Sequence, residues 1–540
     1  MLRLTNLDLK PASSIEIATI GYSLGHGFNQ IPLNQGISLE TLLAPLTVDP
    51  NIGYREVLDR LIEESTHPPL YFWLTHWWLN LWLKSGDLVS LAIARSLSAL
   101  FGILAIPASF ILGWVTFRSR LIAHLGAMLM AISPYGIYLA QEARHYTLSV
   151  LWVIASLVCL VETIKLIEQK ARVPVWLGLV WIVINALAIA THYFFILTLG
   201  ASAIAIVVFW LLNRREQPLS YLRNFALPAI GTCVSALVWL PIIRGISDNQ
   251  MTTWIATSYE LSDIWLPLPR LVAWIITMVM LLPIEGTSQV ITIGSGAIVL
   301  AVLIGVIPTL LKQWRLAFDN PQTRSAMTIL SGYLFGSLIM FLLVIYILDK
   351  DLSLAARYHF VYFPGLILFV AIALAGEAIA AKPGLPLLSF RLNTIVAIFL
   401  IMGLLGSITV ITNLGFQKSR HSDRLAAHIQ QNSSVPTIVA MTHTTHSEIR
   451  ELIALAVSFK RLNTELVQSP QFLLVSHDQA AAVIAASLAT TRKTSELANI
   501  AAINLDLNDE SLEELGCNLD KNVDLADSGY RDRFYRCSIL

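Results

Sequence analysis

The stretch SQVITIGSGAIVLAVLIGVIPTLL occupies residues 288–311 and contains no charged side chain. Lys312, Arg315 and Arg324 follow it. A hydrocarbon core about 30 Å thick is crossed by about 20 apolar residues in a helix, because a helix satisfies its own backbone polar groups where no water is present. The stretch is long enough, and the basic run behind it gives its sense, since cytoplasmic connections collect Lys and Arg. Reading outward from it, the same pattern gives about ten spans, at roughly 88–116, 121–138, 146–166, 174–191, 193–212, 222–243, 288–311, 326–347, 358–381 and 392–414.

The connections between these spans are unequal. One set carries Arg118, Arg120, Lys165, Lys170, Arg172, Arg214, Arg215, Arg223, Lys312, Arg315, Arg324, Lys382 and Arg391, and the other only Arg144, Arg244, Arg270, Lys350 and Arg357. The asymmetry holds along the whole chain only if the apolar segment 264–284 does not cross, so it is expected to be interfacial or re-entrant. Segment 68–84 is short and carries Trp73, Trp77, Trp78 and Trp82, which suits a helix at the headgroup level, where indoles prefer to sit. Residues 1–87 and 415–540 then both face outside.

Composition agrees with this class. Of 540 residues, 55% are hydrophobic and 13% charged, against about 25% charged in a soluble domain. The 36 basic and 36 acidic residues cancel, so no global field points to nucleic acid. Cys159 and Cys233 lie in apolar runs and read as inert packing residues. Cys517 and Cys537 flank the last segment, where a disulfide is geometrically possible in an oxidising compartment. No zinc-type spacing exists; no metal or cofactor is expected, with a divalent cation left open.

After residue 415 the apolar runs shorten to strand length, at Thr437–Met441, Phe472–Val475, Ile500–Leu505 and Arg533–Ile539, with a helical pattern at His446–Phe459. Strands alternating with helices indicate a small α/β domain. The expected architecture is a polytopic α-helical membrane protein. Residues 1–87 form a first outer loop with interfacial helices, 88–414 the transmembrane domain, and 415–540 a small extracytoplasmic α/β domain. Residues 1–66 hold no apolar run of spanning length, so this loop is either translocated by the first span or lacks an upstream helix.

Polar residues are costly at membrane depth, and here they collect at the outer ends of the spans. Four clusters stand out: Thr66-His67-Pro68-Pro69-Leu70-Tyr71; Ser133-Pro134-Tyr135 with Gln141-Glu142-Ala143-Arg144-His145-Tyr146; Thr191-His192-Tyr193; and Ala356-Arg357-Tyr358-His359. All lie on the side of the N-terminal segment that contains Glu16. Each has a plain reading. His-Pro-Pro can start a helix; Glu142 and Arg144, two apart, can be solvated loop residues; His192 and Arg357 can be headgroup-level anchors. Together on one face they suit an anionic phosphate donor, with Arg binding phosphate and a carboxylate taking a proton from a hydroxyl.

His67-Pro68-Pro69-Leu70-Tyr71, then Ala94-Arg95-Ser96, then Tyr138 and Gln141-Glu142-Ala143-Arg144-His145-Tyr146, resembles the bacterial C-type membrane glycosyltransferases, the protein-mannosyltransferase-like enzymes related to the lipid A aminoarabinose transferase. Thr191-His192-Tyr193-Phe194 and Arg357-Tyr358 fit the same pattern, and the resemblance covers roughly residues 1–415. It implies a membrane glycosyltransferase in a bacterial inner membrane. Such an enzyme moves a sugar from a polyprenyl-phosphate-linked donor to a hydroxyl acceptor (lipid, glycan or protein) on the outer face, with inversion. It also implies roles: a carboxylate in the first outer loop as base, here Glu16; Arg144 and Arg357 on the donor phosphate; His67, Tyr71, Tyr146, His192 and Tyr358 lining the cavity. Glu142, between the second and third spans, is the second candidate for the base.

The family pattern near the loop start reads Lys-Pro-x-Trp-x-Asp-Glu-x-Ala-Thr. Here Lys10-Pro11-Ala12-Ser13-Ser14-Ile15-Glu16-Ile17-Ala18-Thr19 puts Ile15 at the Asp and keeps Glu16. Isoleucine takes no proton, so a catalytically silent relative that binds lipid-linked sugar or scaffolds envelope assembly is the competing reading. A transporter or flippase fits less well, because the polar residues crowd one face instead of the bilayer midplane. The topology has a direct test. A cysteine introduced beside Asp524 should react with a membrane-impermeant reagent in intact cells and one beside Arg214 should not; the reverse result would overturn the orientation.

Overall fold

The computed structural model describes residues 1–213, 219–240, 255–256, 259–260, 262–380, 390–462, 470–491, 493, 495–523 and 528–538. Arg214, Arg215, Arg244 and Lys382, used above for the loop asymmetry, and Asp524 lie outside them. The chain forms two units: Met1–Leu7, Thr66–Tyr71 and Arg95–Phe416 make the first, and Asp8–Ser65, Phe72–Ala94 and Gln417–Leu540 the second.

The first unit is helical. Among the described residues six helices are long and apolar enough to cross a membrane: Leu91–Phe117, Tyr146–Glu168, Phe195–Asn213, Gln289–Asp319, Pro321–Ile347 and Asn393–Ile411. Shorter apolar helices accompany them. Val175–Ile189 has 15 residues, about 22 Å at 1.5 Å per residue, and Pro267–Thr277 has 11, about 16 Å, both less than the hydrocarbon thickness. Helices Phe195–Asn213 and Pro321–Ile347 pack through small residues. A Cβ added to Gly336 would lie 2.9 Å from the Ala201 carbonyl oxygen, and one on Gly332 3.1 Å from Ala205 Cα; glycine at both places lets the backbones meet, the usual device where lipid offers no hydrophobic drive. Asn185 ties three helices, accepting from Ser156 at 3.1 Å and donating to Thr232 at 3.0 Å.

The stretch 121–138, expected as one span, is two helices, Arg120–Ile132 and Pro134–Ala140, bent by 56°. The cause is local. Pro134 has no N–H and drives the residue before it from helical geometry, and Ser133 sits at φ −64°, ψ 120°. Its hydroxyl accepts from the Gly136 N–H at 3.0 Å and donates to the Met278 carbonyl at 2.7 Å. The carbonyls stranded at the end of the first helix are taken by Arg3, whose guanidinium donates to Met130 O at 2.6 Å and Ala131 O at 2.8 Å. Burial pulls the Arg3 pKa down to about 10.

The second unit is built on one mixed sheet. Its strands are β1 (Gly36–Ile37), β2 (Thr437–His443), β3 (Gln471–Ser476), β4 (Leu497–Ile503), β5 (Cys517–Leu519) and β6 (Asp532–Ser538), in the order β1-β3-β2-β4-β6-β5. The central β3-β2-β4 pairings are parallel, and β1, β6 and β5 run antiparallel to their neighbours. β2, β3 and β4 read as near-continuous apolar runs because helices cover both faces of a parallel sheet; Ile438, Leu473 and Ile500 pack with Ile484 and Leu488 of helix Ala480–Thr491. Helix His446–Arg461 opens on a Thr445/Glu448 capping box and ends on Lys460 and Arg461, matching its dipole at both ends. Cys517 and Cys537 face each other in the β5–β6 register and form a disulfide. Most of the first outer loop joins the C-terminal segment, because Gly36 and Ile37 supply an edge strand to β3 and helix Ser14–Ser23 packs on helix His446–Arg461.

The bend depends on Arg3. Arg3→Ala leaves two buried carbonyls without their charged donor, at about 2–3 kcal/mol. We expect a lower unfolding temperature in detergent; an unchanged midpoint would show that the carbonyls find other partners.

Candidate functional site

The bend delivers the turn Gln141–His145, which joins helix Pro134–Ala140 to helix Tyr146–Glu168. Glu142 and Arg144 are 3% and 4% exposed, so neither is the solvated loop charge that its spacing allowed. A buried charge needs partners. One Arg144 Nη lies 3.0 Å from His67 Nε2, and the guanidinium carbon lies 5.7 Å from the Tyr146 ring centroid, within cation–π range.

Ser98 holds the turn. Its hydroxyl donates to the Arg144 carbonyl at 2.9 Å and accepts the Arg144 N–H at 3.3 Å, while Tyr71 Oη lies 2.6 Å from the same oxygen. One serine of helix Leu91–Phe117 thus fixes the arginine backbone and the tyrosine together.

Three imidazoles fill the space beside Arg144. His145 and His192 lie 4.4 Å apart between ring centroids, His67 and His145 5.7 Å, and His67 and His192 6.5 Å. His192 also meets Tyr146 at 5.7 Å, Phe360 at 5.6 Å and Phe194 at 5.1 Å. Phe194 continues to Tyr358 at 5.0 Å, and the Arg357 guanidinium carbon lies 5.3 Å from the Tyr358 ring. Of the residues singled out from sequence, His67, Tyr71, Arg144, Tyr146, His192, Arg357 and Tyr358 are joined in this chain of contacts.

Electrostatics shows the same grouping. Desolvation, then the charges of Arg144 and Arg357, push the His192 pKa down to about 3, so both arginines act on one imidazole. His145 is held well below its usual range, by desolvation first and then by His192, Arg144, His67 and Arg357. For Arg357, desolvation works downward, yet Tyr358, Tyr146, Tyr138 and Glu142 together carry it above its ordinary value. With His145 and His192 held neutral, the guanidiniums of Arg144 and Arg357 stand against the Glu142 carboxylate, and the balance favours an anion. Among the described residues no group of three or more His, Cys, Asp or Glu can hold a metal ion.

Glu16 belongs to the second unit. It is fully buried, and its Oε2 accepts from the Ser13 N–H at 3.2 Å and the Ser13 hydroxyl at 3.1 Å. Lys418 Nζ lies 3.4 Å from the same oxygen. It is the N3 residue of a capping box on helix Ser14–Ser23, a role that the Ser13-x-x-Glu16 spacing signals. Sequence reasoning quoted His145 within the polar string but gave it no role, and it missed Ser98, Phe360 and Lys418. Ser98 was open to detection, as a polar residue three after Arg95 near a span end; Lys418 pairs across four hundred residues and left no local sign.

No family profile matches the chain, and no curated protein matches it. Among solved structures it is similar to ArnT from Cupriavidus metallidurans in the apo state, at 12% identity over 99% of this chain and 95% of that one, with a TM-score of 0.49. The same protein bound to undecaprenyl phosphate matches at 14% identity over 97% and 96%, with a TM-score of 0.49. The Archaeoglobus fulgidus oligosaccharyltransferase AglB, in complex with an inhibitory peptide and a dolichol-phosphate, matches at 10% identity over 98% of this chain and 70% of that one, with a TM-score of 0.42.

The histidine group makes stability depend on pH. His192 takes up a proton below about 6.5 when unfolded and only near 3 when folded. The unfolded chain therefore binds more protons in that window, and stability falls as pH drops through it. His192→Phe should flatten the acid side of a plot of unfolding temperature against pH; an identical slope would mean the imidazole is not buried neutral.

Proposed function

We propose that this chain is a membrane glycosyltransferase of the C-type class. It moves a sugar from a polyprenyl-phosphate-linked donor to a hydroxyl acceptor on the outer face of a bacterial inner membrane. The observation that carries the reading is the buried chain of contacts that runs from Arg144 through Tyr146 and His192 to Phe194, Tyr358 and Arg357, with Glu142 buried in the same turn as Arg144. Guanidinium forks match phosphate oxygens bidentately, and in a water-poor site they stabilise a leaving phosphate far more than they would in water. In the transfer, the bond between the sugar C1 and the phosphate oxygen breaks, and the oxygen leaves with the electron pair. The acceptor oxygen bonds C1 from the opposite side, and its proton passes to a carboxylate.

Glu142 is the better candidate for that carboxylate, since it shares the arginines' surroundings. Glu16 already serves as a helix cap and as the partner of Lys418, a sufficient reason for a carboxylate at that place. The Cys517–Cys537 disulfide favours an oxidising compartment, in keeping with an outer location for the second unit.

The test separates binding from transfer. Arg144→Lys and Arg357→Lys should each weaken undecaprenyl phosphate binding by about tenfold or more, because the planar fork is lost while the charge stays. Glu142→Gln should leave that binding intact and lower transfer by about 10²–10⁴, with Glu16→Gln acting chiefly on stability. Parent-like binding by both lysine variants would overturn the phosphate assignment. Full transfer by Glu142→Gln with loss in Glu16→Gln would return the base to Glu16.

A further inference from the structure

In the second unit, β2 connects through helix His446–Arg461 to β3 on one side of it, and β3 connects through helix Ala480–Thr491 to β4 on the other. β2 and β4 are parallel neighbours, with Thr437 opposite Asn499 and Ala440 opposite Ala502. The chain therefore leaves their carboxyl ends in opposite directions. In open α/β sheets, such a switch point opens a crevice that binds ligands. A cavity of about 600 Å³ lies there, within the roughly 300–1,000 Å³ of small-molecule sites. None of its lining residues belongs to the group around Arg144.

Its walls are held in place by their own bonds. Thr442, at the end of β2, accepts the Asp506 N–H at 2.8 Å, and Asn504, just after β4, accepts the Arg531 N–H at 3.0 Å. Gly529 has φ +76°, and a Cβ on it would lie 2.3 Å from the Ser419 carbonyl oxygen, so the 528–531 loop closes tightly on the segment before Arg420. The His421 N–H donates to the Ser528 carbonyl at 2.8 Å. A site fixed in this way loses little order when a ligand binds.

The lining chemistry selects the ligand. Anions are disfavoured, although helix His446–Arg461 points its first turn here. Its N-terminus is closed by the capping box: Glu448 accepts from the Thr445 N–H at 2.6 Å and the Thr445 hydroxyl at 2.8 Å, and Thr445 Oγ1 accepts the Ser447 N–H at 3.1 Å. Three carboxylates, Glu448, Glu451 and Asp506, line the cavity against two guanidiniums, Arg420 and Arg531, and Asp506 also lies 2.9 Å from His477 Nδ1. Arg420 is partly committed, 3.9 Å from Glu451 and 5.0 Å from the centre of the Tyr530 ring. A phosphate would meet more negative charge than positive. A neutral polyhydroxyl ligand fits, because each of its hydroxyls donates to a carboxylate and accepts from a guanidinium or a threonine hydroxyl.

We propose that this switch-point cavity of the second unit is a binding site for a neutral carbohydrate. Binding here needs no transfer at the first unit, so the proposal stands whether or not the chain is an enzyme. The test uses the full-length chain in detergent. Binding is measured by calorimetry with glucose, mannose, galactose and N-acetylglucosamine, each free and as its methyl glycoside, and with inorganic phosphate and AMP as anionic probes. Thr444 is exposed at the cavity, so Thr444→Trp should block the entrance without unfolding the chain. Asp506→Ala removes an acceptor whose carboxylate is 62% exposed. At least one sugar should bind, both variants should weaken it tenfold or more at unchanged unfolding temperature, and neither anion should compete. Binding of the methyl glycosides marks a glycan end as the ligand, and binding of the free sugars alone marks a reducing sugar; either supports the site. The proposal falls if no sugar binds, if Thr444→Trp binds like the parent, or if phosphate or AMP displaces the sugar.

Discussion

Pro134 cannot donate a backbone hydrogen bond, and much of the first unit is arranged around that fact. The helix that reaches Ile132 has to stop, and a new one starts at 56° to it. Stranded carbonyls in such a place cost several kcal/mol in hydrocarbon, so Arg3 covers two of them and Ser133 caps the new helix. The new helix is only seven residues long, which brings the Gln141–His145 turn into a buried position.

Much of this was legible in the sequence and some was not, for physical reasons. The strands near 437, 472, 500 and 533 and the helix at 446 were visible because long apolar runs and a clear helical period bring their own evidence. The Gln141-Glu142-Ala143-Arg144-His145-Tyr146 string stood out as polar residues at a span end, and it gained weight only together with the other clusters on the same face. The direction taken by each residue was harder to read. Glu142 and Arg144 could also be read as solvated loop charges, and only the packing of Tyr146 and the Ser98 clamp shows them buried. Gly36 and Ile37 gave no strand signal, since two residues carry no period and their pairing with β3 is set by residues more than four hundred positions away. The bend at Ser133 was open to reading, because a proline inside an apolar run is a standard breaker.

The two units handle charge differently. In the first, arginines lie among aromatic rings and neutral imidazoles, where desolvation raises the value of any anion that can replace water. In the second, several ion pairs lie at or near the surface, as in Arg536 with Asp520 and Arg533 with Asp509, where such pairs contribute little stability, while Glu16 and Lys418 form a buried pair. The sheet holds instead through its apolar central strands and through the disulfide, which closes 20 residues of chain and restricts the unfolded state by about 3 kcal/mol in the chain-entropy view.

The interleaving of the two units along the chain bears on biogenesis. β1 leaves the ribosome early, whereas β3, its partner, is made only after every helix of the first unit. Translation at about 5–20 residues per second puts tens of seconds between them. During that time the N-terminal segment has no sheet to join and depends on other cover. The converse holds for a fragment starting at residue 417: it would present β3 as a bare edge, and an uncovered edge strand is a template for self-association. Most of the first unit's chain thus separates the two parts of the second unit's sheet in sequence, and proteolytic loss of either flank would leave the other with an open sheet or an unpaired strand.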